Sequence, residues 1–169
     1  MKLAHEKPKR KKKRKKRAWT KQRIRRCWIN ACLDLWSILI RHRDGKCIWC
    51  GSVNNLHAHH IVSKALLGGN LAGYLDLCNG MTLCFKCHIH RLKSEPDEYI
   101  AMRDKWVNKN NYFVTYEALR VNYGIKTKIT TDDLAMIYQY EFKPMVLELH
   151  EFDEQVEKIE KRYLSRIPQ

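Results

Sequence analysis

Cys47-Ile-Trp-Cys50, Leu56-His-Ala-His-His-Ile61 and Asn79-Gly-Met-Thr-Leu-Cys-Phe-Lys-Cys-His88 make up the stretch from which the fold is read. It contains two Cys-x-x-Cys pairs, Cys47/Cys50 and Cys84/Cys87, with His57, His59 and His60 between them and His88 and His90 directly after. Thiols two residues apart can grip one tetrahedral metal from a tight turn, and two such pairs supply the two halves of one thiolate site. The loop between the pairs is too long for simple redox chemistry. A structural Zn2+ on Cys47, Cys50, Cys84 and Cys87 is therefore expected, clipping Lys46–Gly51 beside Leu83–His88. Cys27, Cys32 and Cys78 read instead as small buried hydrophobes.

The histidines and Asn79 carry a resemblance. Cys47-x-x-Cys50, Ala58-His-His-Ile-Val62, Asn79-Gly-Met-Thr-Leu83 and Cys84-x-x-Cys-His88 together resemble the cysteine-rich version of the His-Asn-His (HNH) endonucleases, the ββα-metal family. Order and most of the spacing match from Cys47 to about His90, roughly a quarter of the chain. The resemblance implies an α+β fold. A ribbon of two strands carries the histidine pair at the end of its first strand, a following helix brings the last ligand beneath it, and further helices surround this core. It makes His59 and His88 ligands of a catalytic Mg2+ or Mn2+, His60 the general base, and Asn79 the residue that orients the base and its loop.

The chemistry leads to the same residues. Phosphodiester hydrolysis needs an activated water, neutralisation of charge on the phosphate and stabilisation of the leaving 3′ oxygen. An imidazole with an ordinary pKa of about 6.5 can take a proton from water near neutrality, while an adjacent imidazole coordinates the ion that meets the phosphate. The amide of Asn79 can hold an imidazole or a backbone group without adding charge. Some family members place a further histidine four residues after the position of His88, where this chain has Leu92. His57 shares the face of His59 if Leu56–His60 is extended, and His90 points to another face of a regular helix than His88. Both stand as reserve ligands or phosphate contacts, or else as surface or zinc-shell residues.

The expected function is a metal-dependent DNA endonuclease or nickase that hydrolyses phosphodiester bonds, leaving by resemblance a 5′ phosphate and a 3′ hydroxyl. Branched or nicked DNA is among the expected substrates, and RNA stays open. In layout the chain resembles the phage and mobile-element members. The competing class is a non-catalytic, zinc-stabilised nucleic-acid-binding module, which needs the cysteines and a basic surface but no special role for His60; a zinc-stabilised scaffold comes third.

Charge supports a polyanionic partner, since the 169 residues carry a formal net charge of +15. Ten of the eleven residues from Lys7 to Arg17 are basic, namely Lys7, Lys9, Arg10, Lys11, Lys12, Lys13, Arg14, Lys15, Lys16 and Arg17. Such a run repels itself and has nothing apolar to bury, so it is expected to be disordered and to contact phosphates. No membrane-spanning run or lipid anchor is read, and no secretory segment precedes the cysteines. The expected compartment is the cytoplasm, that of the host if the chain is phage-encoded. The division expected is a basic arm at 1–18, a nuclease domain with an N-terminal helix at 19–110, and a helical extension at 111–169.

Thr20 can cap a helix to about His42, with Ile24, Trp28, Ala31, Leu35 and Leu39 on a buried face and Asp44-Gly45 as its stop. Trp28 and Trp36 belong to that face rather than to base stacking. Lys21, Arg25, Arg26, Arg41 and Arg43 make a basic opposite side, with Arg25 and Arg26 the nucleic-acid contacts expected. Gly68-Gly-Asn70 and Gly73 predict a flexible substrate-contacting loop, Asn79-Gly80 a turn, Phe85 the start of a short helix, and Ser94 the cap of another with Pro96 in its first turn. Further helices are predicted over Tyr112–Tyr123, from Thr131/Asp132 to just before Pro144, and along a stripe from Val146 to Tyr163. That last stripe has an acidic exposed side and could pack on the first helix, form a homodimer with a second copy, or shield the arm.

Overall fold

In the computed structural model residues 18–121 and 129–168 are described, so the run Lys7–Arg17 and the predicted helix end near Gly124 lie outside the described residues. The fold is α+β, and its organising element is the helix α1, Lys21–Asp44. Thr20 accepts a hydrogen bond from the Arg23 N–H at 3.2 Å, and Gly45, at φ 63°, donates its N–H back to the Arg41 carbonyl. Both ends are thus fixed by the cap chemistry read from the sequence. Between them the face carrying Ala31, Cys32, Leu35, Trp36, Leu39 and Ile40 is buried.

Strand β1, Leu56–His60, pairs antiparallel with β2, Gly80–Cys84, from Leu56 opposite Cys84 to His60 opposite Gly80. Two strands alone are marginal in water. This ribbon is held by α1, because the Thr82 N–H donates to the Asp44 carboxylate at 2.7 Å and the Thr82 hydroxyl to the Ile40 carbonyl at 3.1 Å. Gly80 allows the close approach: a Cβ there would lie 2.5 Å from Ile40 Cδ1 and 2.7 Å from Trp36 Cζ2. Gly80→Ala is accordingly expected to cost about 1–3 kcal/mol through overpacking. In urea the unfolding midpoint should fall with the slope unchanged, and an unshifted midpoint would contradict the close approach.

The turn predicted at Asn79-Gly80 is replaced. Leu77–Asn79 form a 3-10 turn one step earlier, and Gly80 is already extended, at φ −119° and ψ 145°. The open loop predicted from the glycines is also replaced, by two short helices, α2 at Lys64–Leu67 and α3 at Leu71–Leu75, capped by Ser63 and Asn70. Gly68 ends α2 in the left-handed conformation, whereas Gly73 sits buried within α3, where Leu67 and Leu119 methyls stand 2.9 Å from any added Cβ. Here glycine serves helix termination and packing, not an open chain.

After β2, Lys86–Arg91 and Leu92–Ser94 run on as one helix, α4, whose first part is π-helical. Ser94 does not cap the next helix. Its hydroxyl donates to the carbonyls of His90 and Arg91, closing α4, and α5, Pro96–Lys109, opens after Glu95 with its proline in the first turn. Helix α6 spans Phe113–Val121. Thr131–Met136, Ile137–Phe142 and Lys143–Leu147 then form one run, α7, which continues through Pro144 instead of stopping before it, the proline entering near the start of the last segment. The stripe from Val146 is broken at 148–152, with His150 at φ 56°, and resumes as α8, Asp153–Ile159 and Glu160–Leu164.

Two cores result. Leu134, Tyr138, Phe142, Val146, Val156 and Ile159 close over α1 together with Leu71 and Leu75, so the C-terminal helices pack on the first helix. The second core joins Cys47, Cys84 and Cys87 to Ile61, Met81, Leu83, Val107 and Tyr116. No described helix is long and apolar enough to cross a membrane.

Candidate metal centre and histidine cluster

The four cysteines converge. The sulfurs of Cys47, Cys50, Cys84 and Cys87 all lie within 4.8 Å of one another, and Cys50 Sγ is 3.6 Å from Cys84 Sγ. A tetrahedron with Zn–S bonds of about 2.3 Å has edges of about 3.8 Å, so this cluster is shaped for such an ion. The first pair sits on a knuckle in which the Gly51 N–H donates to the Cys47 carbonyl at 2.8 Å, with Gly51 at φ 75°. The Ile48 N–H ties that knuckle to β2 through the Thr82 carbonyl at 2.9 Å. The second pair spans the end of β2 and the start of α4. Cys47, Cys84 and Cys87 are buried and Cys50 is exposed. Burial raises the Cys87 thiol; at Cys84 burial opposes the shift, yet the Cys87 backbone N–H and the neighbouring thiols bring the group down to about 7. All seven cysteines are free thiols.

His60 ends β1 on the side facing α1. Its ring stacks on Trp36, with centroids 4.1 Å apart and planes 12° from parallel. Nε2 lies 2.9 Å from the Tyr74 carbonyl. A carbonyl can only accept, so Nε2 carries the proton and donates, and Nδ1 keeps its lone pair. Burial drives the pKa down to about 4, against the Tyr74 bond and with the help of Lys64, so the ring is neutral near pH 7.

Asn79 is buried and braces this end of the ribbon. Its Oδ1 accepts from the Val62 N–H at 2.7 Å, while Nδ2 donates to the carbonyls of Val62 at 3.2 Å and Gly73 at 2.8 Å. Gly73 immediately precedes the residue whose carbonyl holds His60. The amide therefore ties the end of β1 to the segment that fixes the His60 ring, and acts on the ring through that segment.

His59 occupies the other face, towards α4 and α5. Its ring lies 5.0 Å from that of His88, and Nε2 shares a 2.9 Å hydrogen bond with the Tyr99 hydroxyl. Burial, together with His88 and His60, pushes His59 down to about 3. Burial and then His57 lower His88 as well, and its buried Nδ1 has no hydrogen-bond partner. Leaving a buried polar nitrogen unpaired costs about 1–3 kcal/mol, which makes this atom conspicuous. Neutral imidazoles are nitrogen donors, and here one of the two has an unused nitrogen. Among the described residues, however, the four thiols are the one group of three or more His, Cys, Asp or Glu side chains whose ligand atoms converge.

The remaining candidates lie apart from this cluster. His57 is exposed, its ring 5.7 Å from His88, and His90 is exposed beside Phe85. Arg25 and Arg26 sit eleven and ten residues before Trp36 along α1, about 15–17 Å at the helical rise. Arg43, expected on a basic face, is instead tied to Asp44 and to the carbonyls of Leu77 and Gly80, because the 3-10 turn and the start of β2 bring those carbonyls to the helix end. Trp36, Tyr74 and Tyr99 escape a motif reading, since each reaches its histidine across a gap in sequence that carries no spacing signal. Compared with known protein families, characterised proteins and solved structures, the chain matches none.

Proposed function

We propose that this chain is a metal-dependent DNA endonuclease or nickase of the His-Asn-His type, with His60 as general base, Asn79 as the brace of its loop, and the four cysteines holding a structural Zn2+. The observation that carries the reading is the state of His60: neutral, pinned through Nε2–H to the Tyr74 carbonyl, and left with a free lone pair on Nδ1. As a water oxygen bonds to phosphorus and the P–O3′ bond breaks, Nδ1 takes the water's proton, and the imidazolium that forms keeps its Nε2–H on a carbonyl dipole that favours the positive charge. The Trp36 face holds the ring's plane during this transfer. His59 and His88 would hold Mg2+ or Mn2+, which when bound supplies charge neutralisation on the phosphate and at the leaving 3′ oxygen.

The test is conversion of supercoiled plasmid, linear duplex and branched DNA by the full chain with Mg2+ or Mn2+ added back after trace metals are removed. Nicked or linear products that depend on the added ion are expected. Binding without conversion under every ion would instead establish the zinc-stabilised binding module.

The basic arm belongs to the same proposal as a sequence-independent grip on the backbone. Removing residues 1–18 should lower DNA affinity and flatten its salt dependence by about 0.9 in logarithmic slope for each phosphate the arm had neutralised. Fluorescence anisotropy over a salt series reads this directly, and an unchanged slope would take the arm out of the interface.

A further inference from the structure

We infer that the groove between the first cysteine knuckle and α5 is a track for single-stranded DNA, an inference that rests on the reading of DNA as the substrate. The groove has a volume of about 700 Å³ and runs between the end of α1 with residues 46–49 on one side and α5 on the other. Lys105, Trp106 and Lys109 recur at helical spacing along the α5 wall, and the lining from Ala101 to Lys109 spans about 12 Å. Lys46 and Trp49 face them from the knuckle.

The lysines of this groove are uncommitted. Among the described residues Lys46, Lys105 and Lys109 make no ion pair. The one acid in the lining, Asp44, is already occupied by Arg43 and by the Thr82 N–H, each at 2.7 Å. Trp106 is nearly buried under the Arg43 guanidinium at 5.1 Å and against the Tyr112 ring, so it forms floor. Trp49 is different: it is half-buried and backed by Arg91, whose guanidinium lies 4.3 Å from the ring centre and is not part of the lining. A half-buried indole in a groove that also holds Lys46, Lys105 and Lys109 combines a stacking surface with phosphate contacts, the combination that binds unpaired bases. A duplex keeps its bases stacked inside and would offer this wall phosphates alone, leaving Trp49 without a partner.

Trp49 also links the groove to the histidines, which do not line it, through one packed ring. Trp49 lies 6.0 Å from the Tyr99 ring, and the Tyr99 hydroxyl is hydrogen-bonded to His59. A strand lying on Lys109, Lys105 and Trp49 would thus end one aromatic ring away from the proposed metal pair, as the single-stranded flank of a nicked or branched substrate could.

The experiment measures anisotropy of a labelled oligothymidylate and of a labelled duplex of equal length, with the full chain and no added Mg2+ or Mn2+. Trp49→Ala is expected to weaken oligothymidylate binding roughly 5- to 100-fold, with duplex affinity kept within about twofold and Trp49→Phe recovering most of the loss. Because Trp49 adjoins Cys50, zinc content and circular dichroism of each variant are measured alongside. Lys105→Glu combined with Lys109→Glu, away from the knuckle, should reduce the single-strand salt slope by about 1.4, at about 0.7 per phosphate. Equal losses on both probes in Trp49→Ala, or no loss on oligothymidylate in either variant, would overturn the track. A chain that cleaves DNA with unaffected groove variants sinks the track alone; one that loses single-strand binding in the variants but never cleaves upholds the track and sinks the nuclease.

Discussion

His60→Ala is expected to cut DNA about two to four orders of magnitude more slowly than the parent chain in single-turnover assays, the usual contribution of a general base. Among the described residues the ring has no neighbour that could replace it: Nε2 is committed to Tyr74, one face lies on Trp36, and His59 projects to the opposite face, towards His88 and Tyr99. Removing it takes away the free Nδ1 and leaves the thiol cluster intact, so zinc content, circular dichroism and DNA binding should stay near the parent's. His88→Ala should fail differently, needing more added Mg2+ or Mn2+ for whatever turnover remains, because it deletes a proposed ligand and not the proposed base. A His60→Ala protein that cleaves at the parent's rate would remove His60 from the mechanism.

Replacing Cys84 by serine should abolish both zinc binding and the folded state of the second core. Structural zinc in small sites contributes about 10–16 kcal/mol at neutral pH, as large as the whole stability of an ordinary domain at about 5–15 kcal/mol. The cluster joins the knuckle at residues 47–51 to β2 and α4, and three of its four thiols are buried within a core shared with Met81, Leu83 and Val107. Cys78→Ala is the matched control, since that thiol lies outside the group of four. Metal analysis and thermal unfolding decide the matter: a Cys84→Ser chain with full zinc content and an unchanged melting temperature would rule the cluster out as a structural site.

Much of this was legible in the sequence where the signal is local. Thr20 and Gly45 bound α1 because cap chemistry acts within one turn, and the doubled Cys-x-x-Cys spacing finds the thiol cluster because each pair must share a turn to share a metal. Glycines misled for the same reason. Gly73 is small to admit Leu67 and Leu119 methyls, and Gly80 to admit Ile40, demands made by residues far along the chain and invisible to a local pattern. Ser94 bonds backwards to α4 although its sequence context suits a forward cap. The partners of the histidines were the least legible part. Trp36 reads as one more apolar residue on α1, and Tyr99 as one on α5, until packing sets the first against His60 and the second against His59.

The stack of Trp36 on His60 bears on heredity and on engineering. A segment from Lys46 to Ser94 looks like a portable cassette, since every motif residue lies inside it. Yet Trp36 comes from α1, and α1 is itself upholstered on its far side by Leu134, Tyr138, Val146 and Ile159 near the other end of the chain. Excised or transplanted, the cassette would keep its cysteines and its histidines but lose the wall that orients His60. Descent should therefore preserve the two chain ends together with the middle as one inherited unit, and a graft onto another scaffold would have to carry α1 and its covering along.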